Sequence, residues 1–248
     1  MISASLHVVL ALGTVMVRTV VVTGCSSGLG EAVSRILLQS YDVLGVDINE
    51  PHASLVDNER FGYLQTDLSQ DGLEDALEQR MDGKKLYGIV HCAAVSHGGR
   101  LDTMTDEEWQ FSMDVNLTSA MRLSRFSQNH MISSGRLLFI SSPVSIVGAN
   151  KPSYAASKAG LHGLMVSVSR TLAQRQIQVN SIFPGPMITG MTNDWSTEKR
   201  ERIANETHLG RICKPEEVAS MVRFLLSEEC SYLTASVIDM TAGSMFGH

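Results

Sequence analysis

Thr19-Val20-Val21-Val22-Thr23-Gly24-Cys25-Ser26-Ser27-Gly28-Leu29-Gly30 is the stretch on which the fold turns. Its first five residues are all β-branched, which suits a buried strand. Glycines at 24, 28 and 30 follow, and Leu29, Val33, Ile36 and Leu37 then recur at helical spacing. A strand that turns sharply into a helix through glycines brings backbone N–H groups and the positive helix end to one point, where a pyrophosphate can sit. Glycine spacing alone is also that of an ordinary strand–helix turn, so residues further along decide. Asp47 closes the second predicted strand, 23 residues after Gly24. A carboxylate there accepts hydrogen bonds from adenosine ribose hydroxyls and repels a 2′-phosphate. No Arg or Lys lies in the glycine loop and Ile48-Asn49 follow Asp47, so charge complementarity favours NAD over NADP. Asp67, after the third strand, suits either the adenine amino group or the cap of a helix.

Outward from this stretch, short apolar runs alternate with longer amphipathic ones. Residues Thr19–Thr23, Val43–Asp47, Tyr63–Thr66, Leu86–His91, Leu137–Ser141, Gln178–Ile182 and Val237–Met240 have the pattern of buried strands. Thr105 with Glu108 forms a capping box that opens a helix, and Pro215 with Glu216 and Glu217 opens another, with an apolar stripe of Val218, Met221, Val222 and Leu225. The alternation predicts an α/β fold: one Rossmann-like, doubly wound parallel sheet of about seven strands with helices on both faces. With no linker, repeat or low-complexity tract, residues 16–248 form one expected domain. Residues Leu6–Val17 are mostly apolar, but no Lys or Arg precedes them and the stretch is too short to span a membrane. Met1–Val15 is expected to be an extension outside the core, a signal peptide being the weaker alternative.

Composition narrows the function. A 248-residue chain with 44% hydrophobic residues can bury a full core. Its net charge of −6, without a basic run, argues against nucleic-acid binding. Cys25, Cys92, Cys213 and Cys230 show neither metal nor redox spacing, and are expected to be reduced thiols in a cytoplasmic protein. His91, His97, His130 and His162 show no metal-ligand spacing either, and all but His97, which follows the fourth strand, are expected to be packing or surface residues. No metal is expected.

Tyr154-Ala155-Ala156-Ser157-Lys158 places a phenol and an ammonium four residues apart, on one helical face. That puts a proton donor beside a fixed positive charge, useful for reducing a carbonyl or oxidising an alcohol. The phenol, with an ordinary pKa near ~10, needs help from Lys158 to serve as a base, and Lys158 is expected to lower that value.

With the glycine loop, Asp47, Asn116, Ser142 and Tyr154-x-x-x-Lys158 in this order, the chain resembles the short-chain dehydrogenase/reductase family from Arg18 to Gly243. Thr23 to Gly30 matches T-G-x-x-x-G-x-G, Asp114-Val115-Asn116 matches D-x-N, and Ser142 stands twelve residues before the tyrosine. Two segments depart from the pattern: His91-Cys92-Ala93-Ala94 replaces N-N-A-G, and Met240-Thr241-Ala242-Gly243 replaces V-D-G-G. The resemblance implies that Gly24, Ser26, Ser27, Gly28, Leu29, Gly30, Asp47, Asp67, Leu68, Cys92, Ala93, Ala94, Pro184, Gly185, Met187 and Thr189 hold NAD together with Tyr154 and Lys158. It further implies that Tyr154 exchanges a proton with the substrate, Ser142 orients the substrate oxygen, Lys158 holds the nicotinamide ribose, and Asn116 holds a water joining Lys158 to solvent. Taken singly, Ser142 reads better as a strand-end turn residue and Asn116 as a buried amide satisfying backbone; it is their joint order and spacing that favours the catalytic roles.

By the same resemblance the substrate pocket is expected over the carboxyl ends of the strands, walled by Ser96, His97, Val144, Ile146, Pro186, Met187, Met191 and Trp195, with residues 186–211 as a lid. Met and Trp would serve equally as core filler. A secondary alcohol, polyol or cyclic ketone is the expected substrate, and family members pair into homotetramers through the helices flanking the site. The alternative is a dinucleotide-binding sensor or scaffold without turnover, for which the changed His91–Ala94 segment is the only sequence feature.

Overall fold

The computed structural model describes residues 18–246; the extension expected over residues 1–15 lies outside them. Within this span seven strands form one all-parallel sheet in the order β3-β2-β1-β4-β5-β6-β7. The strands are β1 (Thr19–Thr23), β2 (Asp42–Asp47), β3 (Phe61–Gln65), β4 (Leu86–His91), β5 (Met131–Ile140), β6 (Gln178–Pro184) and β7 (Val237–Met240). The connecting helices are α1 (Gly28–Leu37), α2 (Ala53–Val56), α3 (Leu73–Met81), α4 (Asp106–Met113), α5 (Ser119–His130), α6 (Val144–Val147), α7 (Pro152–Leu172), α8 (Thr197–Asn205) and α9 (Pro215–Leu226). From β1 the chain winds outward to β3, then returns to the other side of β1 with β4. That reversal opens a crevice at the carboxyl ends of β1 and β4.

Side-chain alternation along the strands divides the core. Val20 and Val22 of β1 face α1 and α9, where they meet Val33, Leu37, Val218, Val222 and Leu225. Val21 faces the opposite layer with Leu77 of α3, Leu123 and Phe126 of α5, and Leu161 and Met165 of α7. Burying each such aliphatic side chain contributes roughly 1.5–3 kcal/mol. Thr105 and Glu108 form the expected capping box, and Pro215 stands in the first turn of α9. The one large difference from the expected strands is β5, which starts at Met131 rather than Leu137. Its polar beginning, Ser133-Ser134-Gly135, has the composition of a turn, yet Met131 pairs with Leu86 before the register shifts.

Candidate active site

Steric need explains the glycines of the first turn. A Cβ at Gly30 would lie 1.9 Å from the carbonyl oxygen of Gly24, and one at Gly24, whose φ is +70°, would lie 2.9 Å from the Cα of Ala93. The backbone of this turn therefore packs directly on α1 and on the segment after β4. Ser27, the N-cap of α1, is extended and makes no side-chain capping bond. The first-turn N–H groups of α1 have no helical acceptors and remain for an anionic ligand.

Asp47, at the carboxyl end of β2, is fixed by two backbone amides. Its Oδ2 accepts from Ser26 N–H and its Oδ1 from Asn49 N–H, both at 3.0 Å. The hydroxyls of Ser26 and Tyr63 both donate to Asn49 O, at 2.5 and 2.6 Å. Of the two sequence readings of Asp67, a helix cap or a partner of the adenine amino group, the structure bears on the first. Its Oδ1 accepts the N–H and hydroxyl of Ser69, closing a turn, while the N-cap of α3 is Gly72, so the helix-capping reading fails.

Glycine turn and carboxylates open onto one cavity of about 950 Å³ running along the carboxyl edge of the sheet, at the upper end of ligand-pocket volumes. Of the cofactor residues expected from sequence, Gly24, Ser27, Gly28, Leu29, Gly30, Asp47, Asp67, Leu68, Cys92, Ala93, Ala94, Pro184, Gly185, Met187 and Thr189 line it, as do Ser142, Tyr154 and Lys158. Ser26 does not; it braces Asp47 instead. Of the expected substrate wall, Ser96, Val144, Pro186, Met187 and Trp195 line the cavity. His97 and Ile146 do not. The His97 ring packs edge-on against Phe111, its carbonyl is held by Ser112 and Ser153, and Ile146 points to solvent at 68% exposure. The side chain of Met191 lies outside what is described.

Sequence reasoning missed Phe111 of α4, Lys151 at the N-cap of α7, and Lys199 and Ile203 of α8, all of which line the cavity. Lys151 stands directly before Pro152, a helix-start signal that places it at the mouth of the Tyr154 helix. Its Nζ donates to Ser96 O at 2.7 Å and fixes the wall after β4. Lys199 stacks over Trp195, 4.9 Å from the ring centroid.

At the reacting end, Lys158 is 1% exposed and its Nζ donates to Ile140 O at 2.7 Å. Burial lowers its pKa to about 8. Tyr154 departs from expectation: burial raises the phenol above its ordinary value, and contact with the Ser142 hydroxyl only partly opposes this. Lys158 does not supply the expected depression, because its ammonium is turned toward Ile140 and lies 5.8 Å from the Tyr154 ring centroid. Asn116 sits in a π-helical turn, Asp114–Thr118, between α4 and α5. Its side chain is fully engaged: Oδ1 accepts Val95 N–H at 2.8 Å, and Nδ2 donates to Val95 O and Ser157 Oγ at 2.9 Å each. The amide thus satisfies backbone and the Ser157 hydroxyl, and the Asn116 carbonyl lies 3.3 Å from His91 Nε2. Cys25 and Cys92 are inert thiols whose pKa burial pushes up to about 12.

The glycine turn, the pinned acidic residue and a buried Tyr–Lys pair in one crevice define a dinucleotide-binding oxidoreductase site. A family model described as enoyl-(acyl carrier protein) reductase matches residues 24–244. The 3-oxoacyl-[acyl-carrier-protein] reductase FabG of Salmonella typhimurium is 32% identical over 235 residues, covering 91% of this chain and 96% of that protein. Nodulation protein G of a Rhizobium species is 31% identical over 241 residues, covering 91% and 96%. Among solved structures, angucycline C-6 ketoreductase LanV with bound NADP superposes with a TM-score of 0.82 at 26% identity, covering 93% of this chain and 96% of that one. A short-chain dehydrogenase family protein from Francisella tularensis shares the fold with a TM-score of 0.86 at 24% identity, over 93% and 99%. This chain belongs to the short-chain dehydrogenase/reductase family, oxidoreductases that bind a nicotinamide dinucleotide. Among the described residues no helix is long and apolar enough to cross a membrane.

Proposed function

We propose that this protein interconverts a ketone and a secondary alcohol with NAD(H), through Ser142, Tyr154, Lys158 and Asn116. The observation that carries this reading is the convergence of Ser142, Tyr154 and Lys158 on the same cavity as the glycine turn and Asp47. The cradle fits the dinucleotide: α1 presents uncapped N–H groups at the glycine turn, and Asp47 stands where the adenosine ribose would lie. When bound, the nicotinamide supplies or accepts the hydride. Ser142 orients the substrate oxygen, and the Tyr154 hydroxyl gives it a proton in reduction and takes one back in oxidation, a contribution of typically ~10²–10⁴-fold. Lys158, with a pKa of about 8, can return that proton near neutral pH. Pinned Asp47 favours NAD over NADP, since a 2′-phosphate would meet its negative charge. Phe111, Val144, Trp195 and Ile203 in the wall suit a medium-sized, largely apolar substrate. The protein is further proposed to act as a cytoplasmic homotetramer paired through α5 and α7, which sedimentation at micromolar concentration tests.

A second reading, reduction of a 3-oxoacyl thioester, draws on the FabG relatives, which match over 91% of the chain. Reduced-nicotinamide absorbance, followed with NADH and NADPH over secondary alcohols, polyols, cyclic ketones and acetoacetyl thioesters, separates the readings. Turnover of a free ketone or alcohol with NADH is expected. Dinucleotide binding without turnover of any of these would replace the enzyme by a sensor or scaffold.

A further inference from the structure

His91 ends β4 in the segment that departs from the family pattern, and it is fully buried. Its Nδ1 lies 2.9 Å from Thr23 Oγ1, and its Nε2 lies 3.3 Å from Asn116 O and 3.4 Å from Ser119 Oγ. The partners fix where the proton is. The Ser119 hydroxyl already donates to Val115 O at 2.7 Å, so toward His91 it can only accept, as must the Asn116 carbonyl. Nε2 therefore carries the hydrogen, and Nδ1 accepts from the Thr23 hydroxyl. Thr23 Oγ1 in turn accepts the N–H of Ala93, a residue of the cavity wall. One directional chain results: Ala93 N–H to Thr23, Thr23 O–H to His91 Nδ1, His91 Nε2–H to the carbonyl of Asn116. Separately, the side-chain Nδ2 of Asn116 donates to Ser157, whose hydroxyl donates to Tyr154 O on the helix bearing the proposed acid.

We infer that His91 is a positioning residue that fixes the Asn116 carbonyl and ties it to the dinucleotide-binding wall. The inference rests on the proposed role of Asn116. In the π turn the Ser119 N–H reaches back five residues to Asp114 O, and the neighbouring Val115 and Asn116 carbonyls each also meet a side-chain group, Ser119 Oγ and His91 Nε2. His91 spans the distance between the β1 and α5 sides of the crevice with one donor and one acceptor, which a neutral imidazole alone supplies in a single ring.

Two measurements test this. Nitrogen NMR of the wild-type protein, with no substrate added, should show His91 as the neutral Nε2–H tautomer; the Nδ1–H tautomer or an imidazolium near neutral pH would overturn the inference. On whichever substrate the wild type turns over, His91→Phe should lose roughly tenfold in kcat, the scale of one ordinary hydrogen bond lost from the transition state, with NADH affinity by Trp195 quenching unchanged. His91→Gln, whose Nε2 amide can reach Asn116, should recover most of that kcat. Wild-type kcat in His91→Phe, or no recovery in a folded His91→Gln, sinks the positioning role. A wild type with no turnover would instead count against the proposed function, and the NMR result would stand apart from it.

Discussion

Lys158 Nζ donates to the main-chain oxygen of Ile140 at 2.7 Å, so the ammonium is anchored to the carboxyl end of β5 by the protein alone. The anchor holds a charge that its surroundings penalise, since burial takes the lysine from 10.5 down to about 8. Chemistry, rather than stability, accounts for a cation in this place.

Lys158→Met is accordingly expected to abolish turnover while raising resistance to urea at pH 7. The gain is about 1–3 kcal/mol, because the cost of burying the charge exceeds the one hydrogen bond lost. The advantage should shrink as pH rises. The unfolded lysine releases its proton near 10.5 and the folded one near 8, so the wild type gains stability across that window. Cys25, pushed from 9.0 to about 12, acts oppositely above pH 9 but is present in both proteins and cancels in the comparison. Urea midpoints at pH 7, 8 and 9 check it, and a variant weaker than wild type throughout refutes it.

Gly30→Ala should be far more damaging than its single methyl group suggests. The new Cβ would stand 1.9 Å from Gly24 O, a backbone atom that cannot rotate away. The turn must open or α1 must shift, at a cost of about 2–4 kcal/mol, and the N–H cradle moves with it. Calorimetry should find NADH binding lost, with a lowered urea midpoint. Retained binding would show that the turn tolerates the shift.

Much of this architecture was legible because its signals are local. β1 is five consecutive β-branched residues, the glycines stand where backbone crosses backbone, and Thr105 and Glu108 cap α4 within four residues. What escaped depends on contacts distant in sequence. No period marks His91 as a buried hydrogen-bonding residue; its partners Thr23 and Asn116 are brought to it only when β1 and the π turn flank β4. Tyr154 was misjudged for a related reason. Helical spacing puts Lys158 on its face, but the ammonium's direction is set by Ile140 across the sheet edge, and burial then outweighs charge. The resemblance puts His97 and Ile146 in the wall, while the pocket takes its wall from Phe111 and Ile203 on other elements.

Asp47→Ala should separate dinucleotide choice from fold. The carboxylate is held by Ser26 N–H and Asn49 N–H, and β2 keeps its ladder without it. Loss of charge-assisted hydrogen bonds to the ribose lowers kcat/KM for NADH by about 10–100-fold. The value for NADPH should rise, since the charge facing the 2′-phosphate is gone. Equal losses with both dinucleotides would mean that Asp47 braces the turn and does not choose between them.

Acid should unfold the protein partly through His91. Burial and nearby Lys158 hold the imidazole at about 3, against 6.5 for an ordinary histidine. As pH falls from 6.5 toward 3 the unfolded chain takes up a proton that the folded chain refuses, so the stability His91 contributes is complete above 6.5 and drains away through that window. By pH 4 the loss is about 2–3 kcal/mol from this residue alone. His91→Phe starts lower at pH 7, having lost its hydrogen bonds, but carries no such proton. Its urea midpoint should therefore fall less steeply between pH 7 and pH 4 than the wild type's. Carboxylates that also weaken the fold in acid, Glu217 at about 2 among them, are common to both proteins and drop out of the difference. Parallel midpoint curves would mean that His91 is protonated within the folded protein, with Nδ1–H donating to Thr23 Oγ1, so that only the Thr23 end of the chain would be reversed.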